Sequence, residues 1–135
     1  MNYRIKRKLD KFFANYPVRR FERRQILIHN GDNIDHIFYI VKGLVRQYDI
    51  SSGGEEVVVD VFKPGAYVSM MYAMNHTTSQ YFFEAASDVT VRVAPVRDVL
   101  NLVKNDPEVA LDLLTRVLSG IEGMERRMAH LMGGS

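Results

Sequence analysis

The chain has no cysteine. That removes disulfides, thiolate metal sites, cysteine-held iron–sulfur clusters and cysteine nucleophiles together. It also lacks any apolar stretch near the roughly 20 residues that a membrane-spanning helix needs. The opening Met1-Asn2-Tyr3-Arg4-Ile5-Lys6 has no apolar segment behind it, so no secretory signal is expected. Histidine is scarce and scattered, at His29, His36, His76 and His130, with no His-x-His pair. A metal-dependent enzyme on a β scaffold needs clustered histidines and a carboxylate, so a cupin-like metalloenzyme is the weaker alternative. No nucleophile motif built on Ser or Lys occurs. The expectations are no catalytic residues, no metal, no membrane contact and a cytoplasmic location.

What is present is one domain's worth of ordinary globular sequence, 47% hydrophobic and 25% charged. The net charge of +2 hides an asymmetry, because residues 1–24 hold nine Lys or Arg against two Asp or Glu. Such an arm either steers toward nucleic acid or acidic lipid, or is a solvated basic helix face.

Ile5, Leu9, Phe12 and Phe13 fall at helical spacing, which predicts a short helix over 3–15 ended by Pro17. The pattern then turns to strands. Gln25 to His29, His36 to Val41, Leu44 to Ile50, Glu56 to Phe62, Tyr81 to Ala85 and Val89 to Val93 are separated by turn residues. Ser51-Ser52-Gly53-Gly54 marks a hairpin. Many short strands at regular spacing predict a sandwich or barrel. After Pro95 the helical period returns, first over Val96 to Val103. A longer helix then starts at Asp106-Pro107-Glu108, with Asp106 as N-cap, and stops at Gly133-Gly134. At about 1.5 Å per residue it would run roughly 39 Å.

In that helix Ala110, Leu114, Val117, Ile121, Met124, Met128 and Leu131 alternate in steps of four and three. This is a heptad seam, and Leu111, Leu113 and Leu118 widen it. A single stripe is enough to pack on the chain's own core, so the second flank predicts a partner helix and a homodimer. Gly120 and Gly123 either let helices approach closely or form a soft point.

Two runs, Ile26-Leu27-Ile28-His29-Asn30-Gly31-Asp32 and Ile37-Phe38-Tyr39-Ile40-Val41-Lys42-Gly43, resemble the cyclic-nucleotide-binding sensor domain of the catabolite-activator/fumarate-nitrate-regulator (Crp/Fnr) family of transcription factors. Phe62-Lys63-Pro64-Gly65 is similar to the turn before that family's phosphate-binding cassette, and Asn105-Asp106-Pro107 to the start of its dimerisation helix. The likeness covers roughly residues 10–132. It implies a mainly β fold, an antiparallel β jelly roll (double-stranded β-helix) with a short N-terminal helix and a long C-terminal dimerisation helix. The implied layout is a single domain: helix over 1–16, β-roll over 17–95, then the short and long helices over 96–135. Members carry a further helix-turn-helix that reads DNA, and none is found in this chain. A fragment of a regulator is expected, with a freestanding sensor or protein-interaction module as the alternative.

The ligand site departs from the family pattern. Members that bind cyclic AMP hold its ribose with a Gly-Glu pair and its phosphate with an Arg-Ser pair. The first falls here on Ser69-Met70 and the second near Ser79-Gln80 or Gln80-Tyr81. No Lys or Arg lies between Lys63 and Arg92. The Thr-Ser pair offered to the base from the long helix falls on Met124-Glu125. A buried phosphate without a cation costs several kcal/mol, so cyclic AMP is not expected in the usual mode. The candidate pocket residues are Phe62, Gly65, Ser69, Met70, Met71, Tyr72, Gln80, Tyr81 and Met124. Methionines adapt their shape and tyrosines add polar handles, which suits a more apolar or uncharged effector. The same methionines could equally fill the cavity and leave no effector site. Haem would need an axial ligand, for which His76 is the one candidate, and a surface histidine is the commoner reading.

Overall fold

A computed structural model describes residues 2–133. Helix α1 spans Tyr3–Phe13 and is capped by Asn2, whose side chain accepts from the Arg4 amide. Its Ile5, Leu9 and Phe13 are buried, at the spacing that puts them on one face. Leu9 and Phe13 are fully covered, which stabilises the fold by about 2–3 kcal/mol each.

Eight strands follow: β1 Val18–Phe21, β2 Ile26–Ile28, β3 His36–Lys42, β4 Val45–Ile50, β5 Glu56–Phe62, β6 Tyr67–Val68, β7 Phe82–Ala85 and β8 Val89–Pro95. They form two antiparallel four-stranded sheets, in the orders β1-β8-β3-β6 and β2-β7-β4-β5. The period-two alternation of β3 sorts its side chains between two cores. Phe38 and Ile40 face the core between the sheets, with Val45, Phe83 and Val91. Ile37 and Tyr39 face a second core beneath the helices, with Leu9, Phe13, Val99, Val109 and Leu113. Burial on both faces explains why β3 is an unbroken apolar run.

Gly43 ends β3 at a φ of +89°, and a Cβ there would meet the Asp88 carbonyl oxygen at 2.2 Å. Only glycine fits that crossing.

Three helices complete the chain. Helix α2, Met70–Asn75, lies between β6 and β7, where sequence spacing gave no element. Both α2 and the two-residue β6 are too short for a readable period. Helix α3 is Val96–Asn105 and helix α4 is Pro107–Gly133. Gly134, part of the expected stop, lies outside the described residues. Asp106 caps α4 as expected, its Oδ1 accepting from the amides of Glu108 and Val109 at 3.1 and 3.2 Å.

The basic face of α1 is partly used within the chain. Lys8 Nζ lies 2.9 Å from Asp106 Oδ2, Arg4 lies 2.9 Å from Glu108, and Lys6 lies 2.8 Å from Asp10. The first two pairs fasten α1 to the start of α4, and the third lies within α1. Among the described residues no helix is long and apolar enough to cross a membrane.

Helix α4 has two apolar faces. Val109 and Leu113 are buried against the helical core, with Val117 packed beside them. On the other side Leu111, Leu114, Leu118, Ile121 and Met128 stand between 44% and 65% exposed. The seam expected from sequence therefore divides: Val117 packs against the chain's own core and Ala110 is half-buried, while Leu114, Ile121 and Met128 are open. The side chains of Met124 and Leu131 lie outside the described residues.

Candidate functional site

A cavity of about 360 Å3 lies where the end of β5, the β5–β6 corner and α2 meet the middle of α4. That is at the small end of ligand pockets. Six of the sequence-expected residues line it: Phe62, Ser69, Met70, Met71, Tyr72 and Tyr81. Val68 and Phe83 add apolar wall from the sheets. Leu113, Val117, Gly120 and Ile121 close it from α4.

Three expected residues are placed otherwise. Gly65 is at the corner with a φ of +94° and is buried behind the wall. It contributes a carbonyl, not a surface. Gln80 is exposed, because the loop turns outward after Ser79, which is itself buried and bonded to the Tyr81 carbonyl at 2.7 Å. The Gln80 carbonyl instead accepts from Asn30 Nδ2 at 3.0 Å. The side chain of Met124 lies outside the described residues. His76 is exposed at the end of α2 and does not line the cavity.

Local sequence reasoning missed Arg116, Tyr67 and Gln47. It looked for a cation only near the cassette and found none between Lys63 and Arg92. The fold brings one from α4. Arg116 lines the cavity, its Nη1 donates to the Gly65 carbonyl at 2.8 Å, and its Nε lies 2.7 Å from Asp112 Oδ2. Its guanidinium carbon stands 5.2 Å from the centre of the Tyr67 ring. The signal was present in the helix: Asp112 and Arg116 are an i,i+4 pair lying beside the core-facing Leu113 and Val117.

Some polar atoms around this cavity are not satisfied. Arg116 Nη2, the Tyr67 hydroxyl, the Tyr72 hydroxyl and Asp112 Oδ2, which lies 2.7 Å from Arg116 Nε, are all buried without a hydrogen-bond partner of good geometry. Buried polar groups are nearly always paired, so four such atoms in and beside the cavity wall need an explanation. Tyr67 and Tyr72 are only 7% and 6% exposed. Burial pushes both hydroxyls up to about 12, so both are protonated near neutral pH. The Gln47 side chain and the Gln80 backbone face Tyr72 without reaching hydrogen-bond geometry.

The backbone is also strained here. Ser69, which lines the cavity and precedes α2, has a φ of +71°, a region that costs a residue with a Cβ roughly 1–2 kcal/mol. Strain of this kind gathers at ligand clamps and switch regions. Among the described residues no group of three or more His, Asp or Glu comes together to hold a metal.

An antiparallel β-roll with a cavity against a long C-terminal helix is the architecture of a cyclic-nucleotide-type sensor domain. The cyclic nucleotide-binding domain model matches residues 18–106, and the chain belongs to that family. It is 26% identical over 123 residues to the global nitrogen regulator of Nostoc sp. strain PCC 7120, covering 87% of this chain and 55% of that protein. The chain thus spans about half the length of the curated relatives it matches. Another relative, 23% identical over 113 residues, is the probable transcriptional regulator flp of Lacticaseibacillus casei, and these names agree with the resemblance to the Crp/Fnr family. Among solved structures, the c-di-GMP-responsive global regulator CLP of Xanthomonas campestris superposes with a TM-score of 0.82 at 16% identity, covering 92% of this chain and 63% of that one. The Thermus thermophilus catabolite activator protein superposes with a TM-score of 0.77 at 18% identity, covering 93% and 59%. Both likenesses establish the fold.

Proposed function

We propose that this chain is the effector-sensing, dimer-forming regulatory domain of a Crp/Fnr-type transcription regulator, and that it does not hold cyclic AMP in the family's usual way. Its strands form the jelly roll, residues 1–135 form a single sensor domain, and the protein works in the cytoplasm. DNA contact belongs to a helix-turn-helix outside these residues.

One observation carries the reading. Val117 and Ile121 both line the cavity and both lie on the heptad seam of α4. A molecule entering the cavity presses on the same helix that meets the partner. Its binding free energy biases the packing of the helix pair, and the pair sets the spacing of the DNA-reading modules. The seam residues are Ala110, Leu114, Val117, Ile121, Met124, Met128 and Leu131, joined by the exposed Leu111 and Leu118. Large open side chains along one helix face are what a second copy covers.

Against cyclic AMP stand Ser69-Met70 in the ribose position and the missing Arg-Ser pair. Met70 is 3% exposed and packs into the helical core, where a glutamate would have to reach a ribose.

Light scattering tests the dimer. The chain is expected at twice its own mass, and Leu114→Lys with Ile121→Lys at the single mass. A monomeric wild type or a dimeric double variant defeats the assignment. Calorimetry with cyclic AMP is expected to give no micromolar binding, and such binding would refute that part.

A further inference from the structure

We infer that two copies of this chain pair α4 in parallel along Leu111, Leu114, Leu118, Ile121, Glu125, Met128 and Met132, and that Glu125, set against its own copy, orients and limits the pairing. The inference rests on the dimer reading above and names the register and the control of that same interface.

The argument starts from exposure. Six large apolar side chains of α4 stand open, Leu111, Leu114, Leu118, Ile121, Met128 and Met132, between 44% and 83% exposed. Their positions advance in steps of three and four, with one gap. The gap falls at 125, which completes the repeat and holds an exposed glutamate. A three-four repeat sustained over three heptads selects a second helix of the same spacing. This register shares Leu114, Ile121 and Met128 with the one read from sequence. Leu111, Leu118, Glu125 and Met132 take the places of Ala110, Val117, Met124 and Leu131. The physical reason is the chain's own core: Val109 and Leu113 are buried in it and Val117 packs against it, which turns the free face of α4 one flank over. Ile121 remains common to the seam and the cavity.

The charge decides the direction. In a parallel pair every seam residue meets its own copy, so both Glu125 carboxylates fall in one layer and the remaining layers stay apolar. In an antiparallel pair each Glu125 would lie opposite an apolar seam residue, which spoils two layers. A carboxylate set against leucine or isoleucine loses water and gains no partner. Two glutamates in one layer share one wet layer, at the cost of their mutual repulsion. Glu122 stands three residues earlier and adds negative charge beside them, and Arg126 lies 3.7 Å from the Glu122 carboxylate.

Glu125 thereby divides the seam. Four aliphatic residues precede it and two methionines follow. The aliphatic half carries the pairing. The methionine half has flexible, unbranched side chains that repack at low cost. Pressure on Ile121 from the cavity is felt at the boundary between the two.

The chain has no cysteine, so single cysteines report the register. Leu118→Cys and Glu125→Cys are both expected to form disulfide dimers under mild oxidation, because a disulfide closes only where two Cα atoms come within about 7 Å. Ala110→Cys and Ser119→Cys are expected to give at most about a tenth as much. Equal crosslinking at Ala110 or Ser119 overturns the register, and failure at either Leu118 or Glu125 overturns the parallel alignment. The charge is tested separately. Wild type mixed with an equal amount of Glu125→Lys is expected to form more heterodimer than random pairing gives, read by native mass spectrometry. Glu125→Leu is expected to tighten the homodimer at least about tenfold in sedimentation equilibrium. Random pairing, or an unchanged dissociation constant, overturns the role of Glu125. A wild type that sediments as a single chain at every concentration defeats the dimer reading and this inference with it, whereas a dimer with the wrong crosslinks defeats the inference alone.

Discussion

Replacing Tyr67 with phenylalanine removes one buried oxygen and leaves everything else of the side chain in place. The ring keeps its neighbours, Phe13 at 6.2 Å and the Arg116 guanidinium at 5.2 Å. The hydroxyl has no partner to lose. A buried hydroxyl without a hydrogen bond costs roughly 1–3 kcal/mol relative to its hydrated state. The space vacated adjoins an existing cavity, so little new void is created. Tyr67→Phe is therefore expected to stabilise the ligand-free chain by about 1 kcal/mol, or about 3–5 °C in Tm for a domain of this size. Tyr39→Phe is the matched control. Its hydroxyl donates to Asp10 while its ring stacks on Phe13 at 4.4 Å. Losing a hydrogen bond to a carboxylate is expected to destabilise by about 1.5 kcal/mol. Urea unfolding followed by circular dichroism reads both variants on one scale. The two are expected to move in opposite directions. If Tyr67→Phe destabilises as much as Tyr39→Phe, the Tyr67 hydroxyl is satisfied and the reasoning about orphaned donors fails.

Two further outcomes follow from the fold. Gly43→Ala forces a Cβ to within 2.2 Å of the Asp88 carbonyl at a positive φ, and is expected to cost roughly 2–4 kcal/mol by chemical unfolding; a loss below about 1 kcal/mol would mean that this crossing relaxes freely. Asp106 is held below its ordinary 3.8 by the hydrogen bond from Lys8, with burial opposing and the amides of Val109 and Glu108 adding to it. A carboxyl lowered in the folded state contributes stability that is present above 3.8 and lost as pH falls through the lower folded value. The stability gap between the wild type and Asp106→Asn is expected to be full near neutral pH and to close below 3.8. Asp106→Ala is expected to lose about 1 kcal/mol more than the Asn variant, as the helix cap goes too. A gap that does not change with pH would refute the Lys8 pairing.

Much of the frame was legible in the chain. The turns at Asn30-Gly31, Ser51 to Gly54 and Pro64-Gly65 separate runs whose alternation matches the observed strands. Asp106-Pro107-Glu108 announces α4 because caps act within one turn. The second apolar flank of α4 predicts an uncovered face, and Leu111, Leu114 and Leu118 stand open in the structure. The short pieces were not legible. Strand β6 has two residues and α2 has six, less than the length over which a period declares itself.

The cavity was half legible. Methionine and tyrosine at 70–72 lie in its wall as their types suggested. No Lys or Arg lies between Lys63 and Arg92, and the fold brings a cation to the wall from α4 instead. Arg116 comes from 51 residues beyond the corner it supports.

The missing cysteines, the scattered histidines, the strand alternation and the two-sided long helix are properties of the sequence by itself, because each rests on residue chemistry or on contacts within a few turns. They determined a cysteine-free sensor-type β-roll with an apolar helix face. Which groups face one another across the cavity was decided only by the tertiary structure. Arg116 and Tyr67 meet through packing of α4 against β6, and no local period encodes that meeting. Whether their donors are satisfied depends on distances and angles that exist only once the chain has folded.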